Sequence, residues 1–336
     1  MKIISIWGNY VTRGQFMRCV RIAVVLTICL TVMCGCRKRE PLAPAVSPPK
    51  KLVVVTTLFP LYDFCRAVGG DKVDVSLLLP PGVEAHAFSP KPDDAIRVGK
   101  ADLFVFTNQF MEPWAVKFAM GLNSGTITLI DSSKGVTFLR AGPEEDDHDH
   151  GGEGHHHHAG GMDPHIWLDF VNARIMVDNI AAGMCAKDPA NRAYYLANAA
   201  AYKAELKKLD DDYRAGLASC AKRTFLHGGH YAFGYLAKRY GLQYESASAV
   251  NADAEPSPAT LIALVKQVRA NGLKYVFSEE LLSPRVSEMI ARESGASVLL
   301  LHGAHNIGRA DFEKGVTFIS LMRGNLANLR TGLECR

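Results

Sequence analysis

The 336-residue sequence lacks the short motifs that mark several common enzyme classes. It contains no HExxH helix, no GxSxG elbow and no P-loop, which argues against the corresponding protease, hydrolase and nucleotidase classes. It also lacks an apolar run of the roughly 20 residues that a transmembrane helix needs. A hydrolase built from other residues stays an alternative at this point.

A strong net charge is also absent. The formal charge is +4. Cleavage before Cys36 would remove Lys2, Arg13, Arg18 and Arg21 without any acid, which lowers the charge to 0 (4 − 4). A chain without excess positive charge gives no electrostatic reason to expect nucleic acid as a partner.

The N-terminal region has the pattern of an export signal. Arg18 and Arg21 precede an uncharged run of fourteen residues, IAVVLTICLTVMCG, which is typical of a signal-peptide core. The Cys36 that follows resembles the lipidated cysteine of a bacterial lipobox. We therefore expect a signal peptide over residues 1–35 and a proline-rich, lipid-anchored tether over residues 36–50. An uncleaved N-terminal anchor is the alternative.

From residue 51 the chain alternates short runs rich in β-branched and apolar residues with segments of helical spacing. The runs are LVVVTTL, VDVSLLL, DLFVF and TITLI in the first half, and RTFLHG, LQYES, KYVFSE and SVLLL in the second. This alternation predicts an α/β fold with a mainly parallel sheet flanked by helices. Because the pattern occurs twice, we predict two such lobes, over residues 51–188 and 220–336.

Residues 189–219 are predicted to form one long connecting helix. The segment is rich in Ala, Leu, Lys and Glu, and it has no proline after Pro189. Asp188 before Pro189 is a typical helix start. A helical hairpin broken near residues 207–209 is the alternative.

Few cysteines remain after the predicted cleavage. Apart from Cys36, they are Cys65, Cys185, Cys220 and Cys335. A single long helix would separate its ends by about 45 Å, and a disulfide requires Cα atoms within about 7 Å. This spacing argues against pairing Cys185 with Cys220, and the other pairings stay open.

Four histidines occupy comparable positions in the predicted lobes. His86, His230 and His302 follow predicted strands, and His165 directly precedes a predicted helix. Open α/β sheets bind ligands beyond the carboxyl ends of their strands, so two histidines from each lobe can meet across a cleft. Four imidazoles suit a tetrahedral zinc site. His227 ends a strand and is expected to be structural.

Three of these segments carry a family resemblance. GVEAHAFSPKPDD, MDPHIWLD and HYAFGYLAKRYGL resemble signatures of the metal-binding lipoproteins that serve bacterial zinc and manganese ABC importers. The stretch from His305 onward resembles the C-terminal helix of that family, and the similarity covers residues 51–333. The resemblance implies two α/β lobes joined by a long helix, with one metal ion between them. It also implies that His86, His165 and His230 are ligands.

The fourth ligand and the metal are open to alternatives. Manganese-type members usually place an aspartate after the last strand, where this chain has His302 and nearby His305. Imidazole favours zinc, whereas carboxylate oxygens suit manganese. We therefore predict Zn²⁺ with His302 as fourth ligand, and His305, Glu279 or water as alternatives. Glu279 is predicted to line the cleft or to orient a ligand, and Glu84 is a further candidate for orienting one.

An acidic, histidine-rich tract, EEDDHDHGGEGHHHHAGG, precedes MDPHIWLD directly. It lacks apolar periodicity, which predicts a loop over residues 143–161. Zinc-type members of the family often carry such a loop. We predict that its histidines capture zinc and raise the local concentration beside the cleft, with a solvated spacer as the alternative. These histidines are His148, His150, His155, His156, His157 and His158.

These features together predict a high-affinity zinc-binding protein and not an enzyme. It is expected to capture zinc outside the cytoplasmic membrane and to deliver it to the permease of a metal ABC transporter. We expect an exported monomer, anchored at the periplasmic or cell-surface face, with no nucleic-acid partner. A manganese-binding transporter component is the alternative of the same class. A zinc hydrolase and a surface adhesin lipoprotein are the alternatives from other functional classes.

Overall fold

The computed structural model describes residues 17–18, 21, 50–86, 88–122, 127–142, 161–248 and 256–336. The predicted lipidation site Cys36 and the six predicted capture histidines lie outside these ranges. Within the described part of the chain, no helix has the length and apolarity needed to cross a membrane. Residues 50–336 form one compact unit.

The four apolar runs of the N-terminal lobe form a parallel sheet. Its strands are β1 (Leu52–Thr56), β2 (Val73–Leu77), β3 (Leu103–Phe106) and β4 (Thr128–Asp131), in the order β2-β1-β3-β4. Every residue of β3 is buried. A parallel strand covered on both faces needs no polar side, which explains the continuous run LFVF.

Helices pack on both faces of this sheet. They are α1 (Phe59–Gly69), α2 (Pro92–Gly99), α3 (Ala115–Gly121) and α4 (Phe170–Lys187), with short 3-10 turns at Gly70–Lys72 and Ile166–Leu168. The Asp169 side chain caps α4 by accepting a hydrogen bond from the Val171 N–H. This cap starts the helix at Phe170, shortly after His165, as the sequence predicts.

The lobes are connected by one long helix, as predicted. A 3-10 turn at Pro189–Asn191 leads into α5 (Arg192–Gly216), which is unbroken through residues 207–209, so the hairpin alternative is wrong. The Asp188 carboxylate accepts hydrogen bonds from Asn191 Nδ2 and Tyr195 Oη, each at 2.7 Å. It therefore stabilises the turn that leads into the connecting helix.

The C-terminal lobe repeats the strand order of the first. Its strands are β5 (Thr224–His227), β6 (Gln243–Ser246), β7 (Tyr275–Ser278) and β8 (Ser297–Leu300), in the order β6-β5-β7-β8 and all parallel. The helices are α6 (Gly234–Tyr240), α7 (Pro258–Ala270), α8 (Arg285–Ser294), α9 (Arg309–Glu313) and α10 (Phe318–Gly332). All eight predicted strands are present. The predicted α/β class, with two parallel sheets and one long connecting helix, is confirmed.

A single main core runs through both lobes. It includes Phe64 of α1, Leu206 of α5 and Phe318 of α10. Within it, the buried Asp63 carboxylate accepts hydrogen bonds from Tyr202 Oη at 2.9 Å and from the Phe318 N–H at 3.0 Å. One side chain of α1 thus binds both the connecting helix and the start of the C-terminal helix.

An ion-pair network around Arg239 also links the two lobes to the connecting helix α5. Arg239 of α6 donates from Nε and Nη2 to the Asp210 carboxylate of α5, at 2.8 and 2.5 Å. Its Nη1 lies 3.1 Å from Asp169, the residue that caps α4. Tyr240 Oη also donates to Asp210. The planar guanidinium therefore links the C-terminal lobe, α5 and the N-terminal lobe.

The end of α5 is tied to the C-terminus by a disulfide between Cys220 and Cys335. Cys65 and Cys185 are free and buried, in agreement with the argument against a Cys185–Cys220 bond. The segment limits inferred from the sequence, 1–35, 36–50, 51–188, 189–219 and 220–336, stay predictions.

Candidate metal centre

Four histidines from the two lobes form one cluster. His86 lies in the loop after β2, and His165 lies in the turn before α4. His230 follows β5, and His305 follows β8. One ring nitrogen of each lies within 4.8 Å of those of the other three. The cluster is therefore built at the carboxyl ends of strands, where such sheets expose their ligand-binding crevice.

Three of the rings direct their Nε2 atoms at a common centre. The Nε2 atom of His86 is 3.4 Å from that of His165 and 3.3 Å from that of His230, and the remaining pair is also 3.3 Å apart. Three such nitrogens cannot all hydrogen-bond to one another, because each is either a donor or an acceptor. Tetrahedral zinc with Zn–N bonds of about 2.0–2.1 Å separates its ligand nitrogens by about 3.3–3.4 Å. The triangle fits one face of that tetrahedron.

His305 adds a fourth nitrogen beside this triangle. Its Nε2 atom is buried and has no hydrogen-bond partner among the described residues. Its ring centroid is 4.8 Å from that of His165, and its edge contacts Trp167. Gly303 permits this position, because a Cβ there would lie 2.7 Å from His305 Nδ1. A buried unpaired nitrogen is rare in folded proteins and fits a metal ligand.

A carboxylate holds the far side of the His165 ring. Asp163 Oδ1 lies 2.7 Å from His165 Nδ1 and also accepts the His165 N–H at 3.0 Å. Both side chains are fully buried. When Nδ1 carries the proton and donates a hydrogen bond to Asp163, the lone pair on Nε2 is directed at the centre.

His230 has an equivalent partner in Glu279. The Glu279 Oε1 atom lies 2.7 Å from His230 Nδ1, and Oε2 accepts the His230 N–H at 3.1 Å. Glu279 therefore contacts the nitrogen that faces away from the cluster. On the other lobe, Glu84 accepts the backbone N–H of His86 at 2.9 Å.

Glu280 lies between His305 and His302. Its Oε1 atom is 3.7 Å from His305 Nδ1 and 3.2 Å from His302 Nδ1, and its Oε2 atom accepts the Gly303 N–H at 2.7 Å. The carboxylate thus contacts the non-clustered nitrogen of His305. It also supports the turn that carries the ring.

His302, the fourth ligand expected from the sequence, is not in the cluster. Its backbone N–H and C=O both bond the side chain of Asn325 in α10, each at 2.8 Å. Its Nδ1 atom accepts the Ala304 N–H. Ala304 has a φ of 60°, a left-handed conformation that reverses the chain. This turn separates the two histidines and leaves His305 beside His165.

Burial sets the protonation of the site. It lowers the pKa of His86 and of His230 to about 3, and that of His165 well below its ordinary value, with neighbouring imidazoles adding to the effect. Burial also raises the pKa of Asp163 and of Glu279 to about 7. The imidazoles of His86, His165 and His230 are therefore in the neutral form that binds metals.

Asp163 and Glu280 were not predicted as site residues. The Asp-Pro-His spacing of residues 163–165 favours a local side-chain-to-backbone turn, and this was a usable signal for Asp163. Glu280 had no signal beyond its position after β7. His227 is buried at the end of β5, packs against Phe233 and lies outside the four-histidine cluster.

The comparisons with known proteins agree with this fold and site. A family model described as ZnuA, zinc-uptake complex component A, periplasmic, matches residues 54–332. The chain is 36% identical over 309 residues to the high-affinity zinc uptake system protein ZnuA of Bacillus subtilis, which covers 92% of this chain and 96% of that protein. It is also 36% identical over 281 residues to the zinc-binding lipoprotein AdcA of Streptococcus pneumoniae, which covers 83% of this chain and 55% of AdcA. The chain thus spans about half the length of AdcA.

A solved structure extends the similarity to three dimensions. The Zn(II)-bound ZnuA-like domain of Streptococcus pneumoniae AdcA has a TM-score of 0.71 and 31% identity, over 84% of this chain and 99% of that domain. The family match over residues 54–332 includes all four clustered histidines. The chain belongs to the ZnuA family of periplasmic zinc-uptake components.

Proposed function

We propose that the protein binds one Zn²⁺ ion with high affinity through the Nε2 atoms of His86, His165, His230 and His305. The observation that carries this proposal is the Nε2 triangle with edges of 3.3–3.4 Å, beside the unpaired Nε2 of His305. Four imidazole nitrogens complete a tetrahedral zinc site. With nitrogen donors alone, zinc is favoured over manganese, which suits carboxylate oxygens.

His305 takes the place in this ligand set that the sequence assigned to His302. His305 has its Nε2 free toward the cluster and its Nδ1 toward Glu280. His302 is bound through its backbone to Asn325. Asp163, Glu279 and Glu280 are proposed to hold ligand rings in position and not to coordinate the ion, because each contacts an Nδ1 atom.

Zinc can reach the cluster between the lobes. A narrow pocket is lined by His305 together with Glu84 of the N-terminal lobe and Glu280 and Leu281 of the C-terminal lobe. Leu281 is exposed, so the pocket reaches the surface. Carboxylates along such a passage attract cations. Binding is reversible coordination and involves no covalent step.

The zinc-loaded protein is proposed to deliver its ion to the permease of a metal ABC transporter. Family membership supports this partner. We further propose that the exported chain is held at the membrane through a lipid on Cys36 and acts as a monomer. A protein tethered beside its permease has a high effective concentration there.

The histidines between residues 148 and 158 are proposed to capture zinc before it enters the cluster. The flanks of this segment support the proposal: the Ala141 N–H bonds the Gly161 carbonyl, and the Asp163 N–H bonds the Leu139 carbonyl. The described residues on either side, 139–141 and 161–163, are therefore paired next to the turn that carries His165. Weakly bound zinc would be released close to the tight site.

Metal competition tests the main proposal. Metal-free protein covering residues 50–336 is equilibrated with equimolar zinc and manganese, and bound metal is measured by elemental analysis. We expect one tightly bound zinc per chain and four nitrogen ligands in the zinc X-ray absorption spectrum. Preferential manganese binding, or oxygen ligands in place of two or more nitrogens, would overturn it.

Deletion of residues 144–160 tests the capture proposal separately. The deletion variant should retain the tight site, because the four clustered histidines lie outside the deleted range. Growth at limiting zinc should be impaired and should recover at high zinc. Unchanged uptake at limiting zinc would leave only a spacer role.

A further inference from the structure

Asn306 connects the segment that carries His305 to the opposite lobe. Its side chain is fully buried and directly follows His305 in the sequence. The Nδ2 group donates to two carbonyl oxygens of the N-terminal lobe, those of Pro80 at 2.7 Å and of Val83 at 2.9 Å. Both carbonyls belong to the loop that leads to His86.

The hydrogen bonds fix the orientation of this amide. The Oδ1 atom accepts the Ile307 N–H at 2.9 Å, and both Nδ2 hydrogens are used by the two carbonyls. The Gly82 N–H also donates to the Ile307 carbonyl at 2.9 Å. Residues 306–307 therefore hold the His86 loop at three points along its backbone.

In the loop before His86, Gly82 and Val83 are exposed, with 41% of the Val83 side chain accessible. His86 itself is only half-buried, whereas His165, His230 and His305 are buried. An exposed loop with few packed side chains depends on its hydrogen bonds for its position. The contact with Asn306 therefore helps to set the position of the loop that carries His86, together with the bond from the His86 N–H to Glu84.

We infer that Asn306 is a positioning residue that couples His86 to His305, so that these ligands from opposite lobes reach the metal together. The inference rests on the proposed function, because it requires both histidines to be ligands. It predicts that loss of the Asn306 hydrogen bonds lowers zinc affinity because His86 is no longer held in position.

The variant Asn306→Asp tests this inference with almost no change in size. A carboxylate still accepts the Ile307 N–H, but its second oxygen faces two carbonyl oxygens and has no hydrogen to donate. We expect zinc affinity, measured by chelator competition, to fall about 10- to 100-fold, the range found for partners that orient metal ligands. The X-ray absorption spectrum should show one imidazole fewer.

Asn179→Asp is a matched control. The Asn179 side chain also donates from Nδ2 to two carbonyl oxygens, those of Ser132 and Lys134, each at 2.9 Å. These bonds lie within the N-terminal lobe and away from the four clustered histidines. The control loses two hydrogen bonds of the same kind. Its zinc affinity should stay within about twofold of wild type, because the lost bonds do not orient a metal ligand.

A double-mutant cycle separates a positioning role from a general structural one. If Asn306 acts through His86, then Asn306→Asp should change zinc affinity by less than about twofold in a His86→Ala background. An equal loss in both backgrounds would overturn the inference, as would wild-type affinity in Asn306→Asp alone. If the aspartate variant does not fold by circular dichroism, Asn306→Ala removes the donors without adding a charge. Failure of the wild-type protein to bind zinc would instead refute the proposed function.

Discussion

The Nδ1 atom of His165 lies 2.7 Å from Oδ1 of Asp163, and neither side chain is accessible to solvent. Asp163→Asn keeps the size of the side chain but removes its charge. The amide no longer supports the proton on Nδ1, so zinc affinity should fall about 10- to 100-fold. Chelator competition at pH 7.5 measures the change.

Asp131→Asn provides the control for this prediction. Asp131 Oδ1 accepts the N–H of Ser133, two residues on, as Asp163 Oδ1 accepts that of His165. Asp131 makes this turn without contacting the cluster. An affinity loss of similar size in both variants would point to the turn and not to the orientation of the ring.

Zinc affinity should fall as the pH falls below 7. Burial raises the pKa of Asp163 and of Glu279 to about 7, so below that pH each buried carboxyl–imidazole pair holds an extra proton. Coordination requires a bare Nε2 and a carboxylate that accepts from Nδ1, so each pair releases one proton when zinc binds. The loss should approach about tenfold per pH unit for each pair.

Calorimetry in buffers with different ionisation enthalpies counts these protons directly. In the wild type, the number of protons released on zinc binding should rise as the pH is lowered from 7.5 to 5.5. It should be smaller in Asp163→Asn, which has lost one of the two titrating pairs. A pH-independent affinity over this range would contradict the assignment.

His305→Ala should weaken zinc binding by more than about 100-fold, beyond the range for an orienting partner. His302→Ala should have a smaller effect, because His302 lies outside the cluster and contacts it through Glu280. Chelator competition on the two variants ranks them. The reverse order would restore His302 as the ligand.

Arg239→Ala should lower the free energy of unfolding by about 3 kcal/mol, because Asp210 loses its main partner in a mostly buried position. Lys207→Ala breaks the exposed pair with Asp211 and should change the free energy of unfolding by less than about 1 kcal/mol. Urea unfolding of the metal-free protein compares the two variants. Equal effects of the two substitutions would mean that the Arg239 network adds little to the stability of the fold.

Local sequence patterns were sufficient for the fold but not for the complete site. Most of the strands lie in short apolar or β-branched runs, and the connecting helix has a strong composition signal. The choice between His302 and His305 depends on Asn325, 23 residues further along the chain. The hydrogen bond between Asn306 and Pro80 spans 226 residues. Contacts at such separations leave no periodicity or spacing from which a single sequence could reveal them.

The main core passes from α1 through α5 to α10, so the two lobes share one interior. Thermal unfolding should therefore occur in a single cooperative transition, and not as two separate melting events. Zinc at 1,000 times its dissociation constant should stabilise the native state by about 4 kcal/mol and raise this one melting temperature. Two resolved transitions in calorimetry would show that the lobes melt independently. With one transition, a single melting temperature reports the metal occupancy of the whole molecule.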